Sequence, residues 1–178
     1  MIDIATPPRA FDAVRLRLRT PGPADAPRLV ELANDFAVTR MTTSMPYPYT
    51  LADAEAWVAH AAAADPADEA LFVIDLPGEG PIGTLGFDPD GALAEEVGYF
   101  LGQPYWGRGY ATEALAAGLI WARDHWRRRC ITARHFVDNP ASATVLAKAG
   151  FLYTGRTEMR QCRSRGEAVL CRWMVWLA

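Results

Sequence analysis

The segment Gln103-Pro-Tyr-Trp-Gly-Arg-Gly-Tyr-Ala-Thr-Glu113 constrains this chain more than any other. Gly107 and Gly109 lie between a strand-like run, Glu96–Leu101, and a helical pattern that begins near Ala111. Glycine reaches dihedrals that turn successive N–H groups toward one point, and its missing Cβ lets an anion approach the backbone. The helix N-terminus adds unpaired N–H groups and the positive end of its dipole. Together these suit a diphosphate, and Arg108 adds the option of a charge-assisted contact. A tight strand-to-helix turn with no ligand would use the same two glycines, so spacing alone leaves both readings open. Two common phosphate loops are excluded. Thr112 stands where a dinucleotide fingerprint needs its third glycine, and no Gly-Lys-Ser/Thr follows as in a Walker loop.

The periodicities around this turn alternate. Val14–Arg19 alternates apolar and charged side chains, as a half-exposed strand does. A helix from about Ala24 to Ala37 puts Leu29, Leu32, Ala33 and Phe36 on one face. Pro46 and Pro48 break the chain before a second helix that opens at Thr50, with Asp53 closing a capping box. Leu71–Leu76 and Ile82–Phe87 read as strands joined by a turn containing Pro77, Gly78, Gly80 and Pro81. A turn at Asp88–Gly91 leads to the strand Glu96–Leu101. After the two glycines come a helix to about Trp126 and a strand, Cys130–Val137. The next helix is the best marked, with Asn139 as N-cap, Pro140 at its first position and Gly150 just past its end. Val169–Leu177 closes the chain as a strand. This order implies an α/β fold with a mixed sheet and helices on both faces.

A chain of 178 residues, 51% of them apolar, is long enough to bury one core. Its formal charge of −3 argues against general attraction to nucleic acid, and Arg127, Arg128 and Arg129 read as a solvated helix end. No window has the length and apolarity of a membrane span, and the first residues carry acids and prolines instead of a signal-peptide core. A cytoplasmic protein without membrane contact is expected. Cys130, Cys162 and Cys171 then are reduced thiols; neither they nor the histidines have metal-ligand spacing, so no metal site is expected.

Several segments carry a resemblance in a fixed order: Arg15-Leu-Arg-Leu-Arg-Thr20, Ile82-Gly-Thr-Leu-Gly86, Glu96-Val-Gly-Tyr-Phe-Leu101, Tyr105-Trp-Gly-Arg-Gly-Tyr-Ala-Thr-Glu-Ala-Leu115, Asn139-Pro-Ala-Ser142 and Leu146-Ala-Lys-Ala-Gly-Phe151. The ordered set resembles the GNAT superfamily of N-acetyltransferases, in the branch of ribosomal-protein N-terminal acetyltransferases of the RimJ/RimL type. The resemblance implies one such domain over residues 1–178, with a mostly antiparallel sheet of about seven strands, splayed at the cofactor site. It implies acetyl-CoA as cofactor and an amine acceptor, either a peptide N-terminus or a small molecule, on a monomer or homodimer. In such enzymes the loop matching Trp106, Gly107, Arg108, Gly109, Tyr110, Ala111 and Thr112 binds the coenzyme A diphosphate through main-chain N–H groups. The strand matching Tyr99, Phe100 and Leu101 pairs with the pantetheine arm, and an N–H near Phe100 or Leu101 polarises the thioester carbonyl. Asn139 matches a cofactor contact, and Ser142 a hydroxyl near the sulfur that protonates the thiolate.

The chain departs from the family pattern twice. Pro104 stands three residues before the first glycine, where many members carry Gln or Arg, and Gln103 falls one step earlier. Leu146 stands where many relatives place a tyrosine acid, which moves the proton-donor role toward Ser142 or a water. A neutral amine must attack, and an α-amine titrates near ~8, so a base is required. Glu96 is the first candidate and His135 the second; a solvated strand-end glutamate and a structural histidine are their bland alternatives. No cysteine has a histidine partner of the kind an acylated nucleophile needs. Met41, Met45, Tyr47, Tyr49 and Trp57 are candidate acceptor-groove residues, and Arg160, Arg163 and Arg165 candidate contacts to an acidic acceptor. The competing readings are a small-molecule N-acetyltransferase acting on an antibiotic, polyamine or amino acid, and a non-catalytic coenzyme A-binding module.

Overall fold

Alternating side chains and turn residues build an eight-stranded sheet in the computed structural model, which describes residues 7–89 and 94–178. In chain order the elements are β1 (Ala10–Asp12), β2 (Arg17–Arg19), α1 (Ala26–Ala33), α2 (Phe36–Thr39), α3 (Leu51–Ala63), β3 (Ala70–Leu76) and β4 (Gly80–Pro89). They continue as β5 (Glu95–Leu101), α4 (Tyr110–Asp124), β6 (Cys130–Phe136), α5 (Pro140–Lys148), β7 (Leu152–Cys162) and β8 (Glu167–Leu177). The sheet runs β1-β2-β3-β4-β5-β6-β8-β7. Among the described residues only β5 and β6 pair in parallel. Two strands have no counterpart in the sequence reading: three-residue β1 and the edge strand β7, most of whose side chains are exposed and show no apolar alternation.

Local chemistry explains the other adjustments. The helix expected over 24–37 is divided at Asn34–Asp35, because Asp35 leaves helical geometry to cap α2 through Ala37 N–H at 2.8 Å. The single strand expected over 14–19 narrows to β2, with Val14 and Arg15 in the preceding link. Thr50 and Asp53 form the expected capping box. Gly150 ends α5 at φ 94°, and Phe151 N–H reaches the Leu146 carbonyl at 3.0 Å while Gly150 N–H reaches that of Ala147 at 3.1 Å. This Schellman closure needs a left-handed residue, which glycine supplies. The expected turn at Asp88–Gly91 falls partly in β4, and Asp90 and Gly91 lie outside the described residues.

Alternation assigns each sheet face its cover. Leu85 and Phe87 of β4 pack with Phe72 of β3, and with Leu115, Leu119, Trp121 and Trp126 from the helix side, all of them buried. Phe72 and Phe87 lie 5.0 and 6.3 Å from the Trp121 ring. Each such side chain contributes roughly 1.5–3 kcal/mol of transfer free energy. On the opposite face Val73 packs with Leu29 of α1 and Val58 of α3. Thr84, Gly86 and Asp88 of β4 share this second face, and Gly98 and Glu96 of β5 stand opposite Gly86 and Asp88 in register. Among the described residues no helix is long and apolar enough to cross a membrane.

Candidate active site

The sheet opens where β5 leaves β6. Their register holds only the pairs Glu95–Ile131 and Glu96–Thr132, braced by the Thr132 hydroxyl donating to the Glu95 carbonyl at 3.2 Å. Among the described residues the β6-facing edge of β5 beyond Glu96 has no strand partner. A cavity of about 1160 Å³ occupies the gap, and every candidate catalytic or cofactor-binding residue named from the sequence lines it except Arg108. Met41, Met45, Tyr49 and Trp57 line it as well. Tyr47 does not; its ring packs against Phe36 at 5.3 Å. Arg160 and Arg165 are ion-paired with Glu158 and Asp138 instead of lining the cavity.

At one end of the cavity lies the glycine turn. Gly107 and Gly109 have φ of 74° and 79°, and Gly109 is the left-handed N-cap of α4. A Cβ added at Gly107 would meet no protein atom within 4 Å. No side chain caps α4, so its first-turn N–H groups are unclaimed by one. Trp106 is pinned by its indole N–H donating to the Leu101 carbonyl at 2.8 Å.

Beside it, α5 meets β5. The Tyr99 and Ser142 hydroxyls are 2.9 Å apart. Burial pushes the Tyr99 phenol up to about 12, against the opposing hydrogen bond from Ser142. Asn139 accepts the Ser142 N–H at 3.0 Å, so the N-cap orients the serine. Leu146 is buried in the core, and the phenol near this helix comes instead from β5.

The two base candidates are already engaged. Glu96 forms a two-point ion pair with Arg134, whose other nitrogen holds Glu158 at 2.8 Å and whose guanidinium lies 4.6 Å over the Trp173 ring. His135 is buried, with Nδ1 2.8 Å from the Phe136 carbonyl and Nε2 3.0 Å from the Tyr153 hydroxyl. A carbonyl only accepts, so Nδ1 carries a proton, and Nε2 shares its hydrogen bond with the Tyr153 hydroxyl.

Sequence reading missed the far end of the cavity. There Glu69, Asp88 and His60 join Glu96 on the lining. Asp88 stands opposite Glu96 across β4 and β5, and His60 Nε2 lies 2.9 Å from Glu69. Asp88 is exposed at the surface, yet the protein around its carboxylate displaces part of its water and pushes it up to about 7. A hydrogen bond shared with Glu69 and the charges of Glu69 and Glu96 act in the same direction; His60 opposes them. No spacing rule links residues 60, 69, 88 and 96; the β4–β5 register joins Asp88 to Glu96, and tertiary packing brings His60 and Glu69 to them. Gly98, exposed on this face, adds no side chain between this acidic recess and β5.

The donor set fits a coenzyme A-type carrier. Its diphosphate needs converging main-chain N–H groups and room for no Cβ, which Gly107 and the uncapped start of α4 provide. Its arm needs an extended backbone edge, which β5 leaves open. A main-chain diphosphate cradle beside a splayed strand, with a separate acidic recess, defines an acyl-transfer enzyme. The profile of the acetyltransferase (GNAT) domain family matches residues 15–152, and the chain belongs to that family: it is an acetyl-CoA-dependent N-acetyltransferase. The solved structures it resembles share the fold at low identity. Microcin C7 self immunity acetyltransferase MccE, in complex with acetyl-CoA and AMP, is 16% identical with a TM-score of 0.79, over 99% of this chain and 100% of that one. Ribosomal-protein-S5-alanine acetyltransferase from Vibrio fischeri is 18% identical with a TM-score of 0.80, over 94% and 96%. Mycobacterium smegmatis RimJ, in complex with CoA-disulfide, is 24% identical with a TM-score of 0.77, over 97% and 86%.

Proposed function

We propose that the chain acetylates a primary amine, with a protein N-terminal α-amine as the leading acceptor, by direct attack and without an acyl-enzyme. The observation that carries this reading is the continuity of one cavity from the glycine cradle, along the open edge of β5, to the acidic recess at Asp88. Acetyl-CoA, when bound, supplies an acetyl group already activated as a thioester.

Main-chain N–H groups of Gly107–Thr112 hold the diphosphate, and the free edge of β5 at Tyr99–Leu101 aligns the pantetheine arm. An N–H near Phe100 or Leu101 polarises the thioester carbonyl. Asp88, backed by Glu69, takes the proton of the incoming ammonium. An α-amine titrating near ~8 is mostly protonated at neutral pH, and a carboxylate raised to about 7 is matched to that proton in a way that an ordinary carboxylate is not. Glu96, tied to Arg134, holds the recess in shape and contributes charge. His135, with both nitrogens engaged, is structural. On the α5 side Ser142 Oγ is the proton-holding group, with Tyr99 Oη behind it; the raised phenol stays protonated through the neutral range.

The acidic recess favours a second reading equally on charge, a small polyamine or aminoglycoside, because it accepts any compact cation. A screen of acetyl transfer to N-terminal peptides, amino acids, polyamines and aminoglycosides, read by free-thiol release, separates the two. Turnover restricted to small amines would replace the first reading with the second. Tight binding of acetyl-CoA with no thiol release on any amine would overturn both.

A further inference from the structure

We infer that Arg15, from the link between β1 and β2, is a positioning residue for the diphosphate cradle; this rests on the cofactor reading above. Arg15 is 98 positions from Glu113, yet its backbone N–H and its Nε donate to the two oxygens of that carboxylate, at 2.5 and 2.7 Å. Its Nη1 donates to the Arg108 carbonyl at 3.2 Å. The guanidinium lies 4.5 Å over the Tyr110 ring, and Nη2 would be 3.6 Å from a Cβ at Gly109. One residue therefore touches Arg108, Tyr110 and Glu113 and flanks Gly109, along one side of the cradle.

This arrangement solves an electrostatic conflict. Glu113 sits in the first turn of α4, where a carboxylate suits the helix dipole but opposes an anionic ligand at the same end. Its side chain is largely buried, and Arg15 neutralises it with one guanidinium hydrogen bond, from Nε, beside the bond from its own backbone N–H. The hydrogen bond to the Arg108 carbonyl fixes the peptide between the two left-handed glycines. The cradle is thus preset in shape, and its one carboxylate is cancelled before an anion arrives.

The test compares ligands with and without the diphosphate. In the full-length protein, calorimetric affinity for coenzyme A should fall about tenfold or more in Arg15→Ala, with an intermediate loss in Arg15→Lys, which keeps charge but cannot bridge Glu113 and the Arg108 carbonyl at once. Catalytic efficiency with S-acetylpantetheine, which lacks the diphosphate, should stay within about twofold of wild type. The double variant Arg15→Ala/Glu113→Gln should recover part of the coenzyme A affinity, because the uncancelled carboxylate is gone. A loss of efficiency with S-acetylpantetheine as large as the loss of coenzyme A affinity would overturn the inference in favour of a general structural role. So would unchanged affinity for coenzyme A in Arg15→Ala. Wild-type protein that binds neither coenzyme A nor acetyl-CoA would instead overturn the cofactor reading itself, and the role of Arg15 with it.

Discussion

The Tyr99 and Ser142 hydroxyls meet at 2.9 Å between β5 and α5, so a strand phenol stands behind a helix serine at the open edge of the sheet. In the mechanism proposed above the pair serves as a donor chain, because the phenol, pushed up to about 12, keeps its proton at any pH at which the enzyme would work. Ser142→Ala should lower kcat by roughly ten- to a hundredfold, the lower part of the range for general-acid groups, with little change in coenzyme A affinity. Tyr99→Phe should lower kcat less, about three- to tenfold, because Ser142 remains. Steady-state kinetics with calorimetry checks both. A loss confined to cofactor affinity would remove the proton-donor role.

Asp88 predicts a pH dependence whose sign follows from its surroundings. Desolvation, the hydrogen bond with Glu69 and the charges of Glu69 and Glu96 raise its pKa to about 7, with His60 opposing and Arg134 committed to Glu96. A base must be ionised to work, so kcat/KM should rise with pH through about 7 in the wild type. In Asp88→Asn that limb should vanish, leaving only the limb from the acceptor amine near ~8. The same shift acts on stability in the opposite direction. An acid whose folded pKa is raised stabilises the fold below its unfolded value near ~3.9, and that contribution is lost as pH rises through about 7. Asp88→Asn should therefore flatten the decline in melting temperature between those pH values. A profile identical to wild type in both measurements would dismiss Asp88 as the base.

The cradle was legible in the sequence because its chemistry is local: two glycines, an uncapped helix start and a strand before them are all contiguous. The helix caps at Thr50 and Asn139, and the closure at Gly150, were legible for the same reason. Asn34–Asp35 carried a stop signal too, and an apolar stripe running through it concealed the break between α1 and α2. β7 was missed because its exposed side chains lack the alternation that marks a half-buried strand. The recess was illegible for a different reason. Asp88 and Glu96 face each other only through the β4–β5 register, and His60 reaches from α3 to Glu69 in the link before β3. Arg15 and Glu113 were both inside recognised segments, but nothing in either segment says they touch.

Two glycines separate the cofactor half from the acceptor half. Gly107→Val should abolish measurable coenzyme A binding, since a side chain there enters open cradle space and φ of 74° disfavours a β-branched residue. Gly98 has no left-handed requirement and nothing within 4 Å of an added Cβ, so Gly98→Val should fold and bind coenzyme A normally. Its added bulk on the cavity face should raise KM for the acceptor by about tenfold or more. Calorimetry for the cofactor and acceptor titrations for the kinetics give opposite patterns for the two variants. Equal loss of cofactor binding in both would mean that the halves are not separable at β5.

Stability of the frame depends on a network far from the cavity. Arg19 of β2 holds Asp75 of β3 at 2.5 Å and buried Asp25, at the start of α1, by two bonds of 2.7 and 2.8 Å. Burial alone would push the Asp25 carboxyl up, but Arg19 and the Gly22 N–H outweigh it and hold the group below the usual carboxylate range. An acid lowered on folding stabilises the fold above its unfolded pKa of ~3.9, and that contribution disappears as pH falls through the lower folded value. Asp25→Asn keeps the shape and removes the charge, leaving Arg19 with only Asp75. It should cost about 1–3 kcal/mol near neutral pH, discounted because Arg19 is partly exposed. The difference from wild type should shrink on acidification below about pH 4, as the wild type loses the same charge. Denaturant unfolding at neutral and acid pH measures this, and a penalty that does not change with pH would show that packing, not the ion pair, is what Asp25 supplies.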